Sequence, residues 1–273
     1  MPRFFVSPQN IKNENIIVSG EDAKHIKTVL RMREGESLTV CDGCGMDYEC
    51  SINSFVDKEI LLDIVSKSNS VSEPETKITL FQGLPKADKM ELIIQKCVEL
   101  GIDEIVPVYT ERCIVKLDKK DKEAKKIERW QKISESAAKQ SGRGKIPTIK
   151  PVINFKEAVE ISKNFDGAII PYENEKDRGI REFVKDFHGK TVAMFIGPEG
   201  GFSTDEINLS VEKGVLPVTL GKRILRTETA GLSALSILLY ELGWEVIHND
   251  IFWQFCNNKN TWLLSWYYEG YYA

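Results

Sequence analysis

Several features that mark other classes of protein are missing from this chain. Among its 273 residues no apolar run approaches the length of a transmembrane helix. The N-terminal sequence MPRFFV lacks the apolar core of a signal peptide. Histidine occurs only three times, and neither His188 nor His248 has partners for a serine or cysteine triad. We therefore expect a cytoplasmic protein that does not cross a membrane and does not hydrolyse substrates through such a triad.

Cysteine is present but follows no disulfide framework. The six cysteines stand at positions 41, 44, 50, 97, 113 and 256, without the spacing of a disulfide-stabilised secreted domain. Cys41, Cys44, Cys50 and His25 together suggest zinc, but no second closely spaced pair completes such a site. We predict free thiols in a reducing compartment and no metal.

The charge is distributed unevenly along the chain. The formal net charge is −4, yet residues 116–150 contain 12 Lys and Arg against 5 Asp and Glu. This segment therefore carries +7, and the rest of the chain carries −11. A basic segment in an acidic protein is a candidate footprint for phosphate, although a solvated helix face is the simpler explanation of the run taken alone.

The hydrophobic pattern divides the chain into parts. Residues 1–70 alternate apolar and polar positions and predict a small β-rich domain. Residues 71–76 are polar and contain a proline, which predicts a linker. Strands and helices alternate over residues 77–243, which predicts a parallel sheet covered on both faces. Residues 244–273, rich in Trp and Tyr, form an irregular tail whose role the sequence does not indicate.

Capping and turn residues refine these predictions. Ser19 and Asp22 predict a capping box for a helix over 21–30, and Ser203 with Glu206 predicts another for a helix ending near Lys213. The dipeptide Asp42-Gly43 predicts a hairpin turn.

Two glycine-bearing segments carry the clearest functional signal. The segments 196–202 (IGPEGGF) and 220–230 (LGKRILRTETA) each follow a short apolar strand and precede a helical pattern. Open α/β sheets bind ligands at such loops, beyond the carboxyl ends of the strands. Glycine lets the backbone approach a ligand closely, and a helix N-terminus favours an anion or carboxylate. Because neither segment matches a dinucleotide or P-loop motif, we predict a different kind of cofactor pocket.

The second segment supplies candidate binding side chains. Ile224 lies in an apolar pair that is suited to a flat adenine, and Arg226 is suited to an anionic substrate group. An ion pair with Glu228 or Glu199 is a competing role for Arg226. Helix capping is a competing role for Thr227.

Several motifs together resemble one family. They are IGPEGGFSTDE, LGKRILRTETAGLSAL, FQGLPKADKMELIIQKCVELGI with VPVYTERC, and the N-terminal HIKTVLRMREGE. In this order and spacing they resemble the RsmE family, the 16S ribosomal RNA uridine-N3 methyltransferases of the SPOUT class. The resemblance extends from Arg3 to about Gly243.

The resemblance implies an α/β fold in which a SPOUT-type parallel sheet with a C-terminal trefoil knot follows a small PUA-like β-barrel domain. It also implies S-adenosylmethionine as cofactor, a homodimer, and the small ribosomal subunit as substrate. Three loops would hold the cofactor through Ile170, Pro171, Ile196, Gly197, Gly200, Gly201, Leu220, Gly221, Ile224 and Leu225.

The remaining implied roles concern catalysis and RNA. Arg226 would place the substrate and favour the uracil anion. Glu228 would accept the N3 proton, although helix capping explains this residue equally well. RNA phosphate would meet Arg3, Lys24, Arg31, Arg33, Gln140, Arg143 and Lys145.

Two other functions remain open from the sequence. One is a non-catalytic RNA-binding factor for ribosome assembly with the same fold, which the glycines of both loops and Arg226 argue against. The other is a methyltransferase of this fold with a different RNA target. Because the resemblance ends near Gly243, we expect removal of residues 244–273 to leave methyl transfer intact.

Overall fold

A computed structural model describes residues 2–115 and 120–242, and two β-sheets organise them. The predicted tail at 244–273 lies outside the described residues, as do His248 and Cys256. Within the described residues no helix is long and apolar enough to cross a membrane.

The first sheet contains six strands. They are β1 (Arg3–Phe5), β2 (Ile11–Lys12), β3 (Asn15–Val18), β4 (Ser37–Cys41), β5 (Met46–Val56) and β6 (Glu59–Asn69). Their order is β1-β4-β5-β6-β3-β2, with β1 parallel to β4 and the other pairs antiparallel. Alternate residues of these strands, such as Leu38, Val40, Ile60 and Leu62, pack into one core, as the predicted alternation requires.

The local predictions for this region have mixed outcomes. The turn after Asp42 forms as expected, because the Asp42 carboxylate accepts hydrogen bonds from the amides of Cys44 and Met46. The predicted helix is present as α1 (Gly20–Lys24) and continues as a π-helical turn at His25–Val29. The predicted capping box is wrong, since Ser19 makes no side-chain capping bond; the Asp22 carboxylate instead pairs with Lys139 at 3.1 Å.

The second sheet is wholly parallel, as predicted. Its strands are β7 (Lys77–Gly83), β8 (Glu104–Tyr109), β9 (Thr148–Ile149), β10 (Ile153–Asn154), β11 (Gly167–Pro171), β12 (Thr191–Ile196) and β13 (Leu216–Val218). The main order is β10-β8-β7-β12-β11-β13, and β9 pairs with β8. Five of the six β12 residues are buried, which is typical of a strand covered on both faces.

Helices of the described ranges accompany this sheet. They are α2 (Lys89–Leu100), α3 (Lys120–Gln140), α4 (Phe155–Ser162), α5 (Ile180–Lys185), α6 (Thr204–Glu212) and α7 (Thr227–Glu241). Helix α2 packs against α3 and α7, whereas α4 packs against α6. The predicted capping box of α6 is confirmed: Ser203 Oγ accepts from the Glu206 amide at 3.2 Å, and the Glu206 carboxylate accepts from the Ser203 amide at 2.9 Å.

Buried polar contacts fasten the two sheets to each other. The Arg143 guanidinium, 3% exposed, donates to the carbonyls of Val98 and Ile102 and pairs with Glu73 at 2.5 Å. Arg3 donates to the Gly142 carbonyl and pairs with Asp47. The segment that contains Glu73, predicted as a linker, is therefore anchored to the residues that follow α3.

Candidate active site

Three loops meet at one cavity beyond the carboxyl ends of β11, β12 and β13. We define loop 1 as residues 171–173, loop 2 as 197–202 and loop 3 as 219–226. The cavity has a volume of about 510 Å³, within the range of small-molecule and cofactor sites. Eight predicted cofactor residues line it, namely Pro171, Gly197, Gly200, Gly201, Leu220, Gly221, Ile224 and Leu225.

Two predicted cofactor residues have a different place. Ile170 is fully buried in the core on the α4 and α6 side of the sheet. Ile196, also buried, is the last residue of β12. Neither side chain lines the cavity, because strands buried on both faces direct their apolar side chains into the core. These two residues therefore support the loops from beneath.

The glycines of loop 2 are needed for a tight turn. A Cβ atom at Gly197 would lie 3.1 Å from the Gly201 backbone, and Gly201 itself has φ of +66°. The Gly201 amide donates to the Pro198 carbonyl at 2.9 Å. Arg112, which follows β8, donates to the Gly200 carbonyl at 2.9 Å. Loop 2 is thus fixed before any ligand binds.

A buried hydrogen-bond network joins loop 2 to α7. The Thr227 hydroxyl donates to the Gly197 carbonyl at 2.6 Å and accepts from the side-chain amide of Gln82 at 3.0 Å. Gln82 and Thr227 are 0% and 5% exposed. Thr227 does not cap α7, because Arg226 occupies the N-cap position. Thr227 instead fixes where α7 begins relative to the cavity.

Loop 3 has few contacts of its own. The Gly221 amide donates to the Thr219 hydroxyl at 3.2 Å, and Gly221 has φ of +102°. Ile224 is 89% exposed although it is apolar, and Arg223 and Arg226 are also exposed. A large apolar side chain at the mouth of a cavity fits the predicted contact with a flat ring.

Arg226 is not engaged by either predicted competitor. Lys89, in the first turn of α2, pairs with Glu199 of loop 2 at 3.0 Å and with Glu228 of α7 at 3.3 Å. Among residues 2–115 and 120–242, Arg226 forms no ion pair. Arg226 lines the cavity, and its exposed side chain is available to a ligand.

The charged groups at the cavity wall stabilise each other. Hydrogen bonding to Glu199 raises the pKa of Lys89, despite an opposing effect of desolvation. Desolvation favours the neutral form of Glu199, but hydrogen bonds from its own amide, from Lys89 and from the Lys86 amide together lower its pKa. Both groups are therefore charged at neutral pH.

Glu228 is placed unfavourably for its predicted catalytic role. Its side chain is 16% exposed, pairs with Lys89 and does not line the cavity. A carboxylate at the start of α7 also interacts favourably with the helix dipole. These contacts favour a structural role for Glu228 over proton transfer.

Several cavity residues were not singled out from the sequence. Lys89 and Glu173 line the cavity although they lie outside the predicted loops, and Arg112 supports it. Tyr172 and Arg223 line it from within the predicted first and third loops, residues 170–172 and 220–225. Glu173 directly follows the predicted first loop and was within reach of sequence reasoning. Lys89 lies more than 100 positions from both of its partners, and no local pattern in the sequence reports that pairing.

The predicted RNA contacts separate into two groups. Lys24, Arg31, Arg33 and Gln140 are exposed. The Lys139–Asp22 ion pair joins the end of α3 to α1, so Gln140 and Lys24 belong to neighbouring parts of the surface. These four residues define what we call the basic surface.

The other three predicted RNA contacts serve the junction between the sheets. Arg143 was predicted to contact phosphate, but it is buried. Its guanidinium is fully used by protein carbonyls and Glu73. Arg3 is held by Asp47, and Lys145 is held by Asp103. Arg143 and Lys145 belong to the basic run, and the sequence alone does not distinguish such inward-facing charges from surface charges.

The cysteines of the described region are free. Cys41 is buried and accepts a hydrogen bond from Arg3, whereas Cys44 is exposed. Burial raises the pKa of the Cys41, Cys50 and Cys97 thiols to about 12. In the part of the chain that the structure describes, no group of His, Cys, Asp and Glu is arranged to hold a metal.

Comparison with known proteins agrees with this architecture. A family model described as an RNA methyltransferase domain matches residues 72–239, and one described as an RNA methyltransferase PUA domain matches residues 18–65. Ribosomal RNA small subunit methyltransferase E of Bacillus subtilis is 35% identical over 92% of this chain and 100% of its own length. The protein of that name from Mesomycoplasma hyopneumoniae is 37% identical over 86% and 98%.

Two solved structures have the same fold. The ribosomal RNA small subunit methyltransferase E of Neisseria gonorrhoeae, bound to S-adenosyl methionine, has a TM-score of 0.74 and 33% identity over 88% of this chain and 97% of its own. A methyltransferase of Legionella pneumophila, in complex with the cofactor SAM, has a TM-score of 0.73 and 36% identity over 87% and 96%.

The fold and the cavity therefore define an RNA methyltransferase with a PUA-like N-terminal domain. Within that class the chain belongs to the RsmE family, that of ribosomal RNA small subunit methyltransferase E.

Proposed function

We propose that this protein transfers the methyl group of S-adenosylmethionine to N3 of one uridine in the 16S RNA of the small ribosomal subunit. The observation that carries the proposal is the cavity in which loops 1, 2 and 3 converge. Two relatives of the same fold bind this cofactor, and the curated relatives act on small-subunit ribosomal RNA.

The residues at the cavity fit this cofactor. Exposed Ile224 offers an apolar contact for adenine, and the bare backbone of loops 2 and 3 offers hydrogen bonds. Glu173 lines the cavity and, within the described residues, forms no ion pair, so its carboxylate is free for a positively charged group. When bound, S-adenosylmethionine supplies a methyl group activated by a sulfonium.

The chain positions the acceptor and stabilises its charge. Uracil N3 carries a proton with a pKa of about 9 to 10, near that of a Tyr or Lys side chain. Arg226, exposed at the cavity, binds a uracil carbonyl oxygen and favours the N3 anion. Glu228 is held by Lys89 and does not line the cavity, so the N3 proton passes to another acceptor. Alignment of the methyl group and N3 at near contact supplies further rate enhancement, and the target base leaves its stack to reach the cavity.

The basic surface binds the RNA backbone in this proposal. Replacement of Lys24, Arg31 and Arg33 by Gln removes three exposed charges. We expect RNA affinity to fall, and the slope of log K against log salt to decrease by about one for each phosphate that the variant no longer neutralises. Filter binding over a salt series measures both quantities. An unchanged slope would remove these residues from the interface.

Finer features of the family are also part of the proposal. We infer a trefoil knot through loops 1 to 3, supported by the strand order β12-β11-β13 and by the attachment of Thr227 beneath loop 2. We infer a homodimer, supported by the exposure of Ile237 and Tyr240 on α7. We also infer a cytoplasmic location, supported by the free cysteines of the described residues. Light scattering after size-exclusion chromatography tests the dimer.

The function is tested with purified protein, labelled S-adenosylmethionine and small ribosomal subunits that lack the modification. Mass mapping should find a single N3-methyluridine in 16S RNA. Cofactor binding without transfer to this RNA would favour a different RNA target. The absence of both cofactor binding and methyl transfer would contradict the proposal. It would favour a non-catalytic RNA-binding factor.

A further inference from the structure

Lys89 stands at a position that helix stability does not explain. It is the first residue of α2, where the positive end of the helix dipole disfavours a cation. Arg226 likewise occupies the N-cap of α7 without a side-chain capping bond, a position where Ser, Thr, Asp or Asn is preferred. Such departures from local preference are expected at functional sites.

Lys89 contacts two carboxylates in the surroundings of Arg226. Glu228 follows Arg226 by two residues in the first turn of α7, and Glu199 lies in loop 2 across the same cavity. Lys89 pairs with both, at 3.3 Å and 3.0 Å. The Lys86 amide also donates to Glu199, at 3.2 and 3.3 Å to its two oxygens.

The two carboxylates depend on Lys89 to different degrees. Glu199 keeps the Lys86 amide as a donor if the Lys89 ammonium is removed. For Glu228, Lys89 is the one cation within ion-pair distance among residues 2–115 and 120–242. A half-buried carboxylate without its cation is unfavourable and attracts another positive group. Arg226, exposed and unpaired on the same turn, is the nearest such group along the chain.

We propose that Lys89 is a positioning residue that occupies Glu228 and Glu199 and so keeps the Arg226 guanidinium free for the substrate. The inference deepens the proposed function and rests on it for the role of Arg226. The state of Arg226 itself, however, is measurable without turnover.

The primary test is chemical modification of arginine. Phenylglyoxal labelling followed by mass spectrometry reports the reactivity of Arg226, and exposed Arg223 in the same loop serves as an internal reference. We expect Lys89→Met to lower Arg226 labelling several-fold relative to Arg223, because Glu228 captures the guanidinium. Lys89→Arg should preserve labelling, and Lys89→Met with Glu228→Gln should restore it.

Activity supplies the second measurement. In Lys89→Met we expect kcat to fall at least tenfold while KM for S-adenosylmethionine stays within about threefold, with recovery in the double variant. Lys96→Met is the matched control, since Lys96 lies on the same helix and pairs only locally with Glu99. Melting temperatures identify any variant that fails to fold; if Lys89→Met does, Lys89→Gln, which also removes the charge that pairs with Glu228, replaces it with the same expected results.

The outcomes separate the two proposals. Equal Arg226 labelling in wild type and a folded Lys89→Met variant would overturn the inference and leave Lys89 a purely structural residue. Failure of Glu228→Gln to restore labelling would also overturn it. If labelling follows the expected pattern but no variant methylates RNA, the positioning role stands and the proposed function fails.

Discussion

Loops 2 and 3 face the same cavity but are built in opposite ways. Loop 2 is held by Arg112, by Thr227, and by the Lys86 amide and Lys89 side chain. Loop 3 is anchored at its start, where the Thr219 amide donates to the Arg178 carbonyl, but beyond that it is braced internally at Gly221 and exposes Ile224 almost completely. The difference indicates that loop 2 is a fixed wall of the cavity, whereas the side chains of loop 3 are kept available for ligands.

The largest effect is expected at the end of loop 3. Arg226→Ala should reduce turnover at least a hundredfold, since loss of one group that stabilises developing charge typically costs this much. Affinity for S-adenosylmethionine, measured by calorimetry, should change less than threefold. Arg181→Ala is the control, because Arg181 is exposed and pairs with Glu241 away from the cavity. An equal loss of cofactor binding would show that Arg226 builds the pocket.

A substitution at a glycine of loop 2 should lower the stability of the fold. Gly197→Ala places a Cβ atom 3.1 Å from the Gly201 backbone, and overpacking of this kind costs about 1–3 kcal/mol. Urea denaturation measures the change. Gly231→Ala on α7 is the matched control: its Cβ would meet only ordinary contacts at 3.8 Å, so helix propensity predicts a neutral or stabilising effect. Equal effects at both glycines would contradict a rigid loop 2.

A substitution in loop 3 should lower cofactor affinity and leave the stability of the fold unchanged. Ile224→Ala removes a side chain that is 89% exposed, so the free energy of unfolding should change by less than about 0.5 kcal/mol. Cofactor affinity should fall roughly 10-fold if the adenine covers this side chain. Calorimetry and urea denaturation on the same preparation separate the two quantities. A marked loss of stability would mean that the Ile224 side chain packs against the rest of the protein and is not available to a ligand.

The smallest effect concerns the charges that hold loop 2. The pKa of Glu199 is lowered, so its contribution is present above the ordinary carboxylate pKa and is lost as pH falls through the folded value. The pKa of Lys89 is raised, so its contribution is present below the ordinary lysine pKa and is lost as pH rises through the folded value. We expect Glu199→Gln to differ from wild type in stability at neutral pH and to converge with it in acid. A constant difference across pH would exclude the ionic contribution.

The comparison also shows where sequence reasoning succeeds. The two glycine-bearing segments predicted loops beyond the strand ends because glycine acts through its own dihedral freedom and small size. Ser203 with Glu206 predicted the start of α6 because a capping box also depends on neighbouring residues alone. The parallel sheet followed from alternating periodicities.

The failures involve contacts between distant residues. Arg143 belongs to a basic run, yet Glu73 and two carbonyls 41 and 45 positions away bury it. Ile170 and Ile196 belong to the predicted loops by sequence, but strand packing directs them to the core. The pairing of Lys89 with Glu199 and Glu228 arises only when α2, loop 2 and α7 come together. Local patterns therefore located the cavity but not the partners of its charges.

The hydrogen bond between Thr227 and Gly197 determines when the cavity can be completed during translation. The rear wall of the cavity requires Gln82, Gly197 and Thr227 together, residues separated by up to 145 positions. A growing polypeptide can complete the earlier strands while α7 has yet to be synthesised, but it cannot form the hydrogen bond from Thr227 to loop 2. The enzyme therefore completes the wall of its cavity late in its own translation, after the residues of the basic surface have been made.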